Sequence, residues 1–309
     1  MRSLSTGEWL EQEAPAKLNL GLRILGRRPD GYHELESIFV PLALADRLRG
    51  RLAATDQFSC NDASLPTDSD NLVLKARDAW RRAAASLGLP GADHPVELVL
   101  EKRIPTGAGL GGGSSDAAAC FLMLNRLIPP GLENFTLRTL ALTVGSDVPF
   151  FLQPDWAHVT GRGEILTPLK PLFEGSVVLV WPGLHVSTAW AYSRLSDSLT
   201  KQGSYASFQG SRGFVRDPVH AAGWPGNDFE PVVFARHPEL AGLKQVLLDA
   251  GARHASMSGS GSTIYGLFDS AQSASDVTQQ LSSSYPVVVL THPVSAVSQP
   301  AAGGGKGLS

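Results

Sequence analysis

Pro105-Thr106-Gly107-Ala108-Gly109-Leu110-Gly111-Gly112-Gly113-Ser114-Ser115-Asp116 places five glycines in the seven positions from Gly107 to Gly113. Glycines at that density leave backbone N–H groups uncovered by side chains, at a cost in backbone entropy that a plain turn has no reason to bear. Val96 to Glu101 upstream reads as a strand that feeds the loop through Lys102-Arg103-Ile104. Downstream, Ala117 to Leu127 is rich in alanine and leucine, with Ser114 or Ser115 suited to cap a helix that Pro129-Pro130-Gly131 must end. In a strand, glycine loop and helix in that order, loop amides and the positive helix end face one space, an anion site that fits a polyphosphate.

Three other readings compete for the loop, one of them a purely structural turn. Gly107, Gly109 and Gly112 have the GxGxxG spacing of a dinucleotide site, but the preceding hundred residues show hairpin-like alternation where a βαβ unit is needed. A Walker A loop needs a lysine after its last glycine, and Gly113 is followed by Ser114.

Upstream, Ala16, Leu18, Leu20, Leu22 and Ile24 fall on alternate positions, the period of a half-buried strand, so Lys17 and Asn19 share the opposite face. Pro29-Asp30-Gly31 predicts a turn that sets Tyr32 and His33 at the mouth of the next strand. Downstream, Ser176 to Trp181 reads as a buried strand. Ser187 to Leu199 and Pro238 to Ala250 read as helices, the latter with Leu240, Leu243, Leu247 and Ala250 on one stripe. Two short strands then flank Ser258-Gly259-Ser260-Gly261-Ser262, followed by a helix over about Ser270 to Ser284 and a strand from Pro286 to Leu290. This order predicts a ferredoxin-like split βαβ sandwich. Gln202 to Asn227 and Ser298 to Ser309 read as a surface loop and a disordered tail. The expected units are 1–169, 170–297 and the tail 298–309.

The 309 residues are 43% hydrophobic and 18% charged, which suits two packed domains. A net charge of −3 offers no field for a nucleic-acid backbone or an anionic membrane, so neither is an expected partner. The short arginine groups at Arg27-Arg28, Arg47 to Arg51 and Arg77 to Arg82 read as solvated faces. Cys60 and Cys120, far apart and without a ligand cluster, read as buried thiols of a reducing compartment. With no apolar leader or spanning stretch, a cytoplasmic location is expected.

The stretch from Pro105 to Ala118 resembles the second motif of the GHMP kinases, the superfamily of galactokinase, homoserine kinase, mevalonate kinase and phosphomevalonate kinase. Two further stretches extend the resemblance: Pro15-Ala16-Lys17-Leu18-Asn19-Leu20 leading to Arg28-Pro29-Asp30-Gly31-Tyr32-His33-Glu34-Leu35, and Gly145-Ser146-Asp147-Val148-Pro149-Phe150-Phe151. The resemblance implies an α+β, two-domain fold, an N-terminal domain like domain 2 of ribosomal protein S5 followed by a C-terminal ferredoxin-like α/β sandwich. It implies ATP as co-substrate, with Mg2+ expected and Ser115 and Asp116 its nearest candidate ligands. Asp147 and Lys17 match the pair that flanks the acceptor hydroxyl. Pro105, Thr106, Gly107, Ala108, Gly109, Leu110, Gly111, Gly112, Gly113, Ser114 and Ser115 match the ATP loop, and Asn71 and Lys102 match positions near adenine. The flanking stretches further imply an acceptor that is a cytidine diphosphate-linked methylerythritol. Tyr32 and Tyr192 match rings that sandwich the cytosine, His33 matches a residue that bonds its edge, and Asn19 and Thr188 match other substrate contacts. Gly259, Ser260 and Gly261 match a third loop that closes over the phosphates and the acceptor.

Overall fold

The computed structural model describes residues 7–202 and 226–295. The predicted surface loop, apart from its two ends, and the predicted tail lie outside these residues.

Strand β1 (Leu10–Arg27) turns at Gly31, whose φ is +86°, into β2 (His33–Leu52), and the two form an antiparallel hairpin running from Leu10↔Gly50 to Arg27↔His33. The pairing slips between Asn19 and Leu22, where Gly21 has φ +75°. A bulge of this kind adds a residue and reverses which face later side chains take. Ala16, Leu18 and Leu20 accordingly pack in one apolar cluster, with Ile38, Leu179 and Tyr265, whereas Leu22 and Ile24 join the other. The expectation that all five share one face is therefore corrected. Lys17 and Asn19 do share a face, and the slip brings Leu22 round to it.

β2 continues the sheet on its other edge to β4 (Val96–Glu101) and to β5 (Ala157–Thr160), which pairs with β6 (Ile165–Pro168). β3 (Gln57–Cys60) lies parallel to β4, with α1 (Leu72–Ser86) crossing between them. The hairpin-like reading of the first hundred residues thus misses one parallel crossover, although the sheet around it is antiparallel. Helix α1 buries Val73, Ala76, Trp80 and Ala84 on one stripe, and Trp80 Nε1 donates to Asn125 Oδ1 of α2 (Gly112–Leu127) at 2.7 Å. Alanines 117 to 119 and Cys120 are fully buried, so their small side chains let α2 sit close to its neighbours. Burial pushes the Cys120 thiol up to about 12, as expected of a buried thiol, whereas Cys60 is only partly buried, which corrects that expectation for it. Then come α3 (Asn134–Val144) and the single turn α4 (Val148–Phe151).

The second sheet runs β10-β7-β9-β8 and is antiparallel throughout, from β7 (Ser176–Trp181), β8 (His254–Met257), β9 (Ile264–Phe268) and β10 (Val287–Thr291). Helices α5 (Thr188–Gln202), α6 (Glu230–Arg236) and α7 (Pro238–Asp249) intervene between β7 and β8, and α8 (Ala271–Leu281) between β9 and β10. This is the ferredoxin-like order that the sequence predicted. Leu240, Leu243 and Leu247 are buried as expected, while Ala250 ends α7 only partly covered. The two sheets pack on each other through Leu18, Val40, Leu42, Leu179 and Leu267.

The arginine groups are solvated faces only in part: Arg27 and Arg82 are exposed, but others are paired with carboxylates. Arg81 forks onto Asp56 at 2.5 and 2.8 Å, holding that carboxyl down at about 2, and Arg28 spans Asp30 and Glu34.

Candidate active site

The glycine loop starts with β4 spent. Gly107, Gly109 and Gly111 have φ of +68°, +79° and +74°, a left-handed conformation that side chains resist. Gly111 itself occupies the cap position of α2, with no side-chain cap bond, so the helix opens at Gly112 rather than after Ser114 or Ser115. The expected serine cap is corrected: both serines sit inside the first turn, where their hydroxyls are past the orphan amides they were to cover.

Two cavities meet across this loop and share Gly109 and Gly111. The smaller, of about 240 Å³, is lined by Pro105, Thr106, Ala108, Gly109 to Gly113, Leu65, Leu72 and Leu100, with Asn71, Lys102 and Asp116 among its polar groups. Asn71 caps α1, its Oδ1 accepting the Val73 N–H at 2.9 Å and its Nδ2 donating to the Pro66 carbonyl at 2.8 Å. Lys102 Nζ is buried between Asp46 and Asp116, the latter at 2.7 Å. Burial alone would lower the lysine's pKa, but the Asp116 and Asp46 charges raise it. Burial raises the Asp116 carboxyl to about 7 against the pull of Lys102. Asp116 Oδ1 and Ser115 Oγ are buried and have no hydrogen-bond partner among the described residues. Ser114 lies instead toward Gly145.

The larger cavity, a cleft of about 640 Å³, gathers Lys17, Asn19, Tyr32, His33, Asp147, Thr188, Tyr192, Gly259 and Ser260. Lys17 is 4% exposed, its Nζ 2.6 Å from Asn19 Oδ1, 3.4 Å from Asp147 Oδ2 and 4.3 Å from the centre of the Phe39 ring. Its backbone N–H donates to the Leu110 carbonyl at 2.9 Å, which ties the lysine's strand to the glycine loop. Asn19 is fixed in turn, its Nδ2 donating to Ser37 Oγ at 2.9 Å. Asp147 stands at the cap position of the short α4 without a side-chain cap bond, its side chain about one-third exposed at the cleft edge.

On the far wall, His33 stacks on Tyr192 with ring centres 4.6 Å apart, and Tyr192 meets Phe229 edge-on at 4.9 Å. Tyr32 is exposed and carries the Arg162 guanidinium over its ring at 4.5 Å. The structure thus brings Tyr32, His33 and Tyr192 into one cleft, yet His33 rather than an open slot covers one face of Tyr192. Burial, and secondarily the Arg27 charge, lowers the His33 pKa, which favours the neutral ring. Burial, with the Asp147 charge, raises Tyr192 to about 12.

The third loop crosses from the second sheet. Thr188 Oγ1 meets Ser260 Oγ at 2.8 Å, Ser258 Oγ donates to the Gly109 carbonyl at 2.9 Å, and Tyr265 Oη donates to the Asn19 carbonyl at 3.1 Å. Gly261 does not line the cleft; it backs onto Gly109 and Met257. Sequence reasoning missed Asp46, Phe39, Arg162 and His185, whose ring lies against Gly107. Only Arg162 left a signal, standing between Gly161 and Gly163, both of positive φ.

The chain matches two sequence families, the GHMP kinases N-terminal domain over residues 71–154 and the GHMP kinases C-terminal domain over residues 212–287. It is 40% identical over 282 residues to a 4-diphosphocytidyl-2-C-methyl-D-erythritol kinase of Chlorobium phaeobacteroides, covering 91% of this chain and 96% of that one. The kinase of the same name from Solibacter usitatus is 44% identical over 272 residues, covering 86% of this chain and 83% of its own length. A crystal structure of 4-(cytidine 5'-diphospho)-2C-methyl-D-erythritol kinase superposes with a TM-score of 0.72 at 34% identity, covering 92% of this chain and 99% of that one.

Proposed function

The chain belongs to the GHMP kinases, in the group that the 4-diphosphocytidyl-2-C-methyl-D-erythritol kinases form, and we propose that it phosphorylates the 2-hydroxyl of 4-diphosphocytidyl-2-C-methyl-D-erythritol with ATP, within the non-mevalonate route to isoprenoid precursors. The observation that carries this reading is the Lys17–Asp147 pair, 3.4 Å apart, at the point where the two cavities meet across Gly109 and Gly111. ATP occupies the smaller cavity, its base among Leu65, Leu72 and Leu100 and its phosphates over the amides that the glycines leave open. The acceptor occupies the cleft, its cytosine at Tyr32, His33 and Tyr192.

The acceptor oxygen attacks the γ-phosphorus, an O–P bond forms, the β,γ-bridging P–O bond breaks and ADP leaves with that electron pair. Asp147 takes the hydroxyl proton, and the Lys17 ammonium offsets the charge that develops on the oxygen. Asn19 and the Phe39 ring hold the ammonium in place. Mg2+ needs only one or two protein oxygens beside phosphates and water, and Ser115 Oγ and Asp116 Oδ1, both buried without a partner among the described residues, fit that need. Bound there it would supply charge neutralisation on the phosphates. A base can enter only if His33 leaves the face of Tyr192 or stacks with it, a local side-chain movement.

The test is purified protein with ATP, magnesium and the cytidyl acceptor, followed by phosphorus NMR. A new 2-phosphate monoester is expected, with mevalonate and homoserine left unchanged. Turnover of either control in place of the cytidyl acceptor overturns the substrate assignment.

A further inference from the structure

Outside the phosphoryl-transfer centre, Asn227-Asp228-Phe229-Glu230 touches three parts of the site at once. Leu22 and Asn227 form a parallel bridge, in which the Leu22 N–H donates to the Gly226 carbonyl at 3.0 Å and the Asp228 N–H returns to the Leu22 carbonyl at 2.9 Å. Asp228 Oδ2 accepts the Ile24 N–H at 2.8 Å. These bonds satisfy β1 just past the slip that begins at Asn19. Phe229 lines the cleft and packs edge-on to Tyr192. Glu230 Oε1 accepts from Ser256 Oγ at 2.7 Å and from the Met257 N–H at 2.9 Å, while Oε2 pairs with Lys244 at 2.6 Å.

Asn227 is the centre of this arrangement. It is 4% exposed, and its Nδ2 donates to the Met257 carbonyl at 2.7 Å and the Gly259 carbonyl at 2.8 Å, while Oδ1 accepts the Phe229 N–H at 2.9 Å. Fixing the Gly259 carbonyl fixes a whole peptide plane. The bond from Gly259 to Ser260 is trans, so the Ser260 N–H points the opposite way from that carbonyl, away from Asn227, and both residues line the cleft. Neither the Gly259 nor the Ser260 N–H has an acceptor among the described residues. Gly259 has φ +58°, and successive unpaired amides around such a residue make a concavity for an anionic oxygen.

We infer that Asn227 is a positioning residue for phosphoryl transfer, holding the Gly259 peptide so that the Ser260 amide faces a phosphate oxygen in the cleft. The inference rests on the kinase reading above. The oxygen belongs either to the phosphoryl group in transit or to the acceptor's diphosphate, and kinetics separate the two.

Asn227→Asp keeps the volume and the acceptor for Phe229 but replaces both donors with anionic oxygen facing two carbonyls. Asn227→Ala removes the donors without adding charge, so one folded variant of the two suffices. Each is compared with the wild type by melting curve, by steady-state kinetics and by amide hydrogen exchange over 257–262. A loop displaced by about 1 Å is expected to lower kcat/KM for the acceptor by about 10²-fold. KM for ATP should change much less than the acceptor constants, since no residue of the glycine loop is replaced, and exchange of the Gly261 N–H, now bonded to the Ser258 carbonyl, should quicken. A fall confined to kcat assigns the amide to the transferring phosphoryl, and a raised acceptor KM assigns it to the diphosphate. Wild-type kcat and KM in a folded variant overturn the inference, even if its melting temperature has dropped. A wild type that leaves the cytidyl acceptor unphosphorylated breaks the substrate reading alone. The exchange arm needs no acceptor, and unchanged exchange in Asn227→Asp would still overturn the positioning role.

Discussion

Gly109→Ala drives a wedge between the two loops that close the site. An ideal Cβ on Gly109 would stand 2.3 Å from the Ser258 carbonyl oxygen and 3.0 Å from that of Gly261. Both are backbone atoms, and ordinary contact begins near 3.4 Å, so the 258–261 segment must retreat by about 1 Å. The retreat stretches the Ser258 Oγ bond to the Gly109 carbonyl, now 2.9 Å, and the Thr263 N–H bond to the Ala108 carbonyl, now 3.3 Å. The residue's φ of +79° adds strain of about 1–2 kcal/mol for any side chain. A shift of about 1 Å at reacting groups costs about 10² in rate, so kcat/KM should fall by that order. The strain alone should lower Tm by about 2–4 °C per kcal/mol. Gly242→Ala is the control. It lies within α7 with open space around the added methyl, so it should gain about 0.5–1 kcal/mol and leave turnover unchanged. Steady-state kinetics and thermal melts of the three proteins give both numbers. A folded Gly109→Ala enzyme with wild-type kcat/KM would show that the contact between the loops has no part in the chemistry.

Asp147→Asn keeps the shape of the side chain but removes the proposed proton acceptor, so turnover should fall by about 10²–10⁴ with ATP affinity little changed. Lys17→Met should also cost turnover, and with both groups acting on one proton, as proposed, the double variant should lose less than the product of the single losses, which steady-state kinetics tests. Tyr192→Ala and Tyr32→Ala should raise KM for the cytidyl acceptor well above any change in KM for ATP, since each removes a ring on which a base can stack, worth about 1–3 kcal/mol. Equal rises in both constants would remove the rings from base recognition. His254 is held down at about 4 from an ordinary 6.5, chiefly by burial and then by the Lys244 charge. The folded state therefore resists protonation that the unfolded state accepts, and stability should fall as pH drops from about 6.5 to 4, by up to about 3 kcal/mol. Urea melts of a folded His254→Gln variant should show a shallower acid slope, and an unchanged slope would place the sensitivity elsewhere.

How far the sequence carries depends on the distance over which each feature is determined. The glycine loop was legible because its requirements are local: left-handed φ at Gly107, Gly109 and Gly111, and close approach at each. The strand at Val96–Glu101 and the order of elements after Ser176 were legible from apolar period and turn residues alone. The bulge after Asn19 was not, because alternation continues in the sequence while the pairing slips, and only the partner strand decides where. The helix over Leu72–Ser86 went unread although Val73, Ala76, Trp80 and Ala84 form a stripe, since the arginines between them drew attention as surface charge. Arg77 and Arg81 instead reach Asp56, and that partner is some twenty residues away. At the site, the resemblance to a kinase motif marked Lys17, Asn19 and Asp147, while their supports came from remote segments: Phe39 and Ser37 from β2, Ser258 and Tyr265 from the second sheet. Lys102 was marked, but Asp46, 56 residues earlier, was not, although a buried ammonium requires such a partner. Asn227 is the limiting case, because it closes a stretch whose composition suggests only loop. Its role exists only once Leu22, Met257 and Gly259 have been brought around it, so nothing short of the assembled fold could have named it.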